Sequence, residues 1–187
     1  MSDQGSLKNQ PHAGQPTDMA GWGQYSDEDR LFELLLPPGT QLNLDETAAP
    51  GEVYLYWSPA PGMGTFSIHL QPSPDRTAQA FLDLEKEFGR ITKIEADEAV
   101  IHNGYPAHHL RFLFHRIVAR EVVKDPHTGE ILHMPEREIH ELLDFLFFTG
   151  EKHAARVGYR LNLEAPLELH VDFRKITQNF RLLRHID

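Results

Sequence analysis

The run LLDFLFF at 142–148 has no polar face. Successive side chains of a strand point to opposite sides, so read as a strand it offers large apolar groups both ways, interrupted only by Asp144. VYLYW (53–57) repeats the pattern, with Val53, Leu55 and Trp57 set against Tyr54 and Tyr56, and FLF (112–114) does so again. A sheet built on such strands must hide both of its faces. GTFSIHLQ (64–71) differs: Phe66, Ile68 and Leu70 alternate with Thr65, Ser67, His69 and Gln71, one face apolar and one polar.

Two segments change period. In SPDRTAQAFLDLEKEFG, Ala78, Phe81, Leu82, Leu84 and Phe88 form a stripe at helical spacing, with Asp75 as the expected cap and Gly89 as the expected left-handed stop. The second helix is expected over 165–177, opened by Pro166, with Leu169, Phe173, Ile176 and Phe180 recurring at steps of four, three and four. Around them stand a strand near 31–39 closed by Pro37-Pro38-Gly39, a strand near 94–101, an Asn103-Gly104 hairpin turn of type I′, and a long strand from about 106. REIHELLDFLFF (137–148) and HAARVGYRLNL (153–163) follow, joined by a tight turn. The order implies an α+β fold: an antiparallel β-sheet with helices packed on it. One domain is expected over 29–187, with an extended hairpin near 116–136. Residues 1–28 lack core-forming spacing and are expected to form a flexible N-terminal arm.

Net charge −10 over 187 residues leaves no basic excess to displace phosphate counterions, so nucleic acid is not an expected partner, and an anionic membrane surface is disfavoured in the same way. There is no cysteine, which excludes disulfides, thiol nucleophiles and thiolate metal sites. The N-terminus has no apolar core of signal-peptide length, and the longest apolar runs are far short of the ~20 residues that span a bilayer. A cytoplasmic protein without direct membrane insertion is expected.

The layout and several local signatures resemble the PsbP-like fold, the group that includes the DcrB-like bacterial proteins. The resemblance rests on FELLLPPGT, FLDLEKEFG, HNGYPAHHLRFLF, FLFFTGEKH and ITQNFRLL, in that order, and covers about 29–184. It implies a PsbP-like α/β/α sandwich. Members look like non-enzymatic binders: accessory subunits of photosystem II, a nuclear-import factor that binds a small GTPase, and cytoplasmic Eag chaperones of type VI secretion, which shield apolar segments of effectors. A leaderless, acidic chain is most similar to the last.

AVIHNGYPAHHLRFLFH (99–115) holds four histidines. On an extended strand His109, Arg111, Leu113 and His115 share one face, and His108, Leu110, Phe112 and Phe114 the other. His109 and His115 are roughly 20 Å apart at about 3.3 Å per residue, too far to hold one ion together. A mixed site would need His109 or His115 together with His133, Glu136, Glu138 or His140 from the next strand. The weak candidates are His109, His115, Glu138 and His140. The expectation is a scaffold hairpin with solvated histidines and no resident metal or other cofactor.

No GxSxG, Walker loop, dinucleotide fingerprint or thiol is present, and no enzyme is expected. The leading expectation is a cytoplasmic adaptor or chaperone that presents a sheet face to a protein client or complex subunit, because two helices are expected to cover only part of so apolar a sheet. Candidate contacts are Tyr54, Tyr56, Trp57, Leu113, Leu143 and Phe145. A homodimer mate is a further candidate cover for that surface. The alternative is a small-ligand or metal-binding protein that uses the histidine-rich face.

Overall fold

The computed structural model describes residues 20–27, 31–45, 52–72, 77–118, 123–124, 128, 131–132 and 136–184. Expectations that fall on residues 1–19, on Asp75, on His133 and on most of the 119–135 segment lie outside them. In chain order the elements are β1 (Gly23–Ser26), β2 (Phe32–Leu36), β3 (Asn43–Leu44), β4 (Val53–Trp57), β5 (Gly64–Gln71), α1 (Ala78–Phe88), β6 (Arg90–His102), β7 (Tyr105–Val118), β8 (Val123–Lys124), β9 (Ile131–Leu132), β10 (Arg137–Thr149), β11 (Ala154–Asn162), α2 (Leu167–Asn179) and β12 (Arg181–Leu182).

Seven strands form one antiparallel sheet in the order β3-β4-β5-β11-β10-β7-β6. Consecutive hairpins β6–β7 and β10–β11 supply its centre and one edge, and β11 returns across the sheet to pair with β5. At the first hairpin tip Asn103 and Gly104 have φ of 48° and 91°, the positive pair that a type I′ turn requires. β10 lies well inside the sheet, and residues 141–148 are all buried. The absence of a polar face in LLDFLFF reflects two covered faces.

What covers them differs. Leu142, Leu146 and Phe148 point to a large core shared with Phe66, Ile68, Val157 and Tyr159 of neighbouring strands and closed by Phe173, Ile176 and Phe180. Those last three come from α2 and its C-terminal end. A small second sheet, β1-β2-β12, adds Phe32, Leu34 and Leu36 to the same core. On the opposite face Leu143, Phe145 and Phe147 meet Leu110, Phe112, Phe114 and the α1 residues Ala78, Phe81 and Leu82. One helix on each face makes an α/β/α sandwich. The protein is α+β, mostly antiparallel sheet with helices packed on it.

Several local expectations need correcting. The N-terminal arm does not extend to residue 28: Gly23–Ser26 pairs with β2, and Trp22 is buried against the core. The two-strand ladder β1–β2 was hidden because GQYS carries only one large apolar side chain. The α1 cap is Thr77, whose Oγ1 accepts the Ala80 amide at 3.2 Å. Gly89 does not stop α1 through a left-handed conformation; its backbone is extended, with φ 178°. Its requirement is space, since a Cβ there would lie 2.5 Å from the Phe114 ring and 2.6 Å from the His115 carbonyl oxygen. The helical stripe is also narrower than its spacing suggests. Leu84 and Phe88 do not join Ala78 and Leu82 in the core.

The exposed edge strand β6 carries Lys93, Glu95, Asp97 and Glu98 and two register irregularities, at Ile91/Lys93 and Ile94/Ala96. Charges and bulges of this kind discourage another strand from pairing there.

Candidate functional site

The six residues expected to contact a partner occupy three different environments. Leu143 and Phe145 are fully inside the core beneath α1, at 0% and 4% exposure, and offer nothing to a partner. A strand that is apolar both ways reads the same whether its second face meets a helix or a client, and here it meets α1. Trp57 and Leu113 pack against the other core, Trp57 edge-on to Phe173 at 5.3 Å. Tyr54 and Tyr56 remain half-buried near the β4 edge, stacked on each other at 5.9 Å, with Tyr54 edge-on to His69 at 5.2 Å.

Beside those tyrosines lies a groove of about 240 Å³ between α1 and the β5–β11 pair. One wall is Ala80, Phe81 and Leu84 of α1; the other is His69 and Gln71 of β5 with Arg156 of β11. The His69 Nε2 atom is 3.2 Å from Glu52 Oε2 and 3.0 Å from Gln71 Nε2. The Arg156 guanidinium lies over the Phe81 and Phe145 rings, 4.7 and 5.2 Å from their centroids. Along the outer side of α1, Ala80, Leu84 and Phe88 recur at steps of four and all face solvent, Leu84 at 42% and Phe88 at 65% exposure. Leu84 and Phe88 belong to the helical stripe expected to face the core; Ala80 lies outside that stripe.

The histidines separate into pairs with different roles. His108 Nε2 lies 2.6 Å from Asp97 Oδ1 on the exposed edge. His109 is committed to a buried carboxylate: its Nε2 donates to Asp144 Oδ1 at 2.8 Å. The Tyr159 hydroxyl donates to Asp144 Oδ2 at 3.0 Å, and Arg111 Nη1 stands 3.5 Å from the same oxygen. Burial, reinforced by the Asp144 charge, holds the Tyr159 phenol far above its ordinary range, so it stays protonated and donating. Asp144, the one polar residue in LLDFLFF, is therefore the hub of a core network. The sequence placed it on a core-facing position, which was the available signal.

His115, Glu138 and His140 do come together. His115 and His140 are register partners on β7 and β10, and their rings stack at 4.7 Å with 21° between planes. Glu138, two residues before His140, shares that face; its Oε2 is 3.6 Å from His115 Nε2 and 4.0 Å from His140 Nε2. One ligand atom from each of the three lies within 4.8 Å of the others. Among the described residues, His115 Nε2 is buried and has no hydrogen-bond partner.

No protein-family model matches the sequence, and no curated protein matches it either. Among solved structures, the solution structure of cyanobacterial PsbP (CyanoP) from Synechocystis sp. PCC 6803 aligns with 93% of this chain and 98% of its own, at 14% identity and a TM-score of 0.48. At that level of likeness no property passes from that protein to this one, and the fold class stands on the topology above. No helix among the described residues is long and apolar enough to cross a membrane.

Proposed function

We propose that the protein is a binding protein that docks an apolar segment of another polypeptide in the groove beside α1. The observation that carries this reading is the solvent-facing ridge Ala80–Leu84–Phe88. An eleven-residue helix seated on its sheet by Ala78, Phe81, Leu82 and the Glu85–Arg160 pair does not use Leu84 or Phe88 for that contact, yet it exposes a Leu and a Phe one turn apart. Apolar groups at i, i+4 and i+8 are what one helix presents to another apolar segment. Tyr54, Tyr56, His69 and Arg156 extend the surface with aromatic and polar groups that fix orientation. In its most specific form, taken from the resemblance to Eag chaperones, the client is an apolar segment of a type VI secretion effector, held in the cytoplasm before export.

The test places a photo-crosslinking residue at position 84 in cells, with position 168 on α2 as the control. A discrete polypeptide adduct at 84, absent at 168 and abolished by adding Phe88→Asp, supports the reading. Equal crosslinking at both positions, or none at 84, overturns it. Phe88→Asp should leave the melting transition nearly unchanged, since exposed substitutions usually shift stability by no more than about 0.5 kcal/mol.

A further inference from the structure

We propose that His115, Glu138 and His140 form a binding site for a zinc-class divalent cation, independent of the groove beside α1. The site is built from backbone pairing. β7 and β10 bring the two imidazoles face to face as direct register partners, and the two-residue period of β10 returns Glu138 to the same side. For bonds of about 2.0–2.1 Å to nitrogen or oxygen, the donors of a tetrahedral ion are roughly 3.3–3.4 Å apart. Two of the three separations here are 3.6 and 4.0 Å. Closing the remainder takes a rotation of Glu138 and His140, which are both exposed at the surface, around the more enclosed His115.

The chemistry of the donor set selects the ion class. Two neutral imidazoles and one carboxylate suit zinc, cobalt, nickel or copper better than calcium or magnesium, which favour all-oxygen shells. Three protein ligands on a sheet surface leave at least one coordination position open to water or an external ligand. A metal would supply a direct ligand contact to His115 Nε2, which is buried and makes no hydrogen bond among the described residues. Arg90 stands opposite His115 on β6 and works against a bound dication, while Glu138 offsets it. His109 has no part in the site, being held by Asp144 of the neighbouring strand β10.

Zinc alone is titrated into the full chain by calorimetry, with cobalt absorption in the visible as a second readout. The expected result is one equivalent bound at micromolar or tighter affinity. His115→Ala and His140→Ala should each weaken zinc by roughly a hundredfold or more, exceeding the ~10–100-fold typical of outer-shell partners. His109→Ala should leave the affinity unchanged. Zinc should also raise the melting temperature of the wild type and of His109→Ala, but not of His140→Ala, whose exposed position keeps the variant folded. Affinity no better than millimolar, an unchanged affinity in both His115→Ala and His140→Ala, or an equal loss in His109→Ala would each overturn the assignment.

Discussion

Both carboxylate oxygens of Glu85 lie 2.5 Å from Nη2 of Arg160, across the seam between α1 and β11. Glu85 is buried, and the pair continues inward: Arg160 Nη1 is 3.7 Å from Glu141 Oε2, and Arg116 Nε is 3.1 Å from the same oxygen. α1 is thus attached to the sheet by charge at one side and by Phe81 and Leu82 on its underside. Removing Arg160 would strand the buried Glu85 carboxylate and leave Glu141 to Arg116 alone. Arg160→Met should therefore cost about 3 kcal/mol, the lower end for breaking a buried ion pair because the arginine is partly exposed. Glu85→Gln keeps an acceptor and should cost less. Urea unfolding checks both; an Arg160→Met midpoint equal to wild type would show that the network holds nothing.

The two helices should not respond equally to loss of their central phenylalanine. Phe173 is fully buried and touches Trp57 and Tyr159, so Phe173→Ala should cost about 3–5 kcal/mol. Phe81 contacts Phe112, Phe145 and Phe147 but is only partly buried, with the groove on its other side. Phe81→Ala should cost clearly less than Phe173→Ala. Equal losses in the unfolding free energies of the two variants would mean that the groove closes over Phe81 in solution.

Much of this architecture was legible because alternation and helical spacing are strong local signals. GTFSIHLQ sits in the sheet over the residues its pattern marks, and Phe173, Ile176 and Phe180 all reach the core their spacing implies. What alternation cannot say is what lies above a strand. Leu143 and Phe145 therefore looked like contact residues although α1 covers them. Phe88 failed in the opposite direction: it shares the solvent side of α1 with Leu84, although Gly89 beside it packs against Phe114. The histidine cluster was undecidable for a third reason, since the register between β7 and β10 decides whether His140 faces His115. A shift of one residue would have put it on the other side.

Gly158 offers a test of register that needs no ligand. It is the direct partner of Phe145, and a Cβ there would overlap the Asp144 carbonyl oxygen and sit 2.7 Å from Phe145 Cα. The neighbouring atoms are backbone at the centre of the sheet and cannot swing away. Gly158→Ala should be among the more damaging single substitutions in the chain, costing on the order of 3 kcal/mol or abolishing soluble expression. Gly104→Ala, in open space at the hairpin tip, should lose only the positive-φ penalty of about 1 kcal/mol. Comparable melting temperatures for the two variants would contradict the pairing of β10 with β11.

The tip of the β6–β7 hairpin closes the molecule in a way that should be visible in pH. His102 Nε2 donates to the Phe180 carbonyl at 2.9 Å, and Asn103 Nδ2 donates to the same oxygen at 2.6 Å, so the turn clamps the end of α2. Burial holds the His102 pKa below its ordinary 6.5; the Phe180 hydrogen bond pulls the other way and loses, and nearby His109 adds to the lowering. A histidine with a depressed folded pKa binds a proton less readily in the native chain than in the unfolded one. Its contribution to stability is therefore fully present above pH 6.5 and is lost as pH falls from there through the folded value. His170, also lowered by burial, slopes the same way, while Asp172, raised by burial, acts in the opposite sense from the carboxylate range upward. The informative quantity is thus the difference between wild type and His102→Gln, measured by urea unfolding at several pH values. That difference should shrink steadily as pH drops below 6.5. A difference that stays constant across the range would mean that the His102 pKa is the same in the fold as in the unfolded chain, against the burial of the ring.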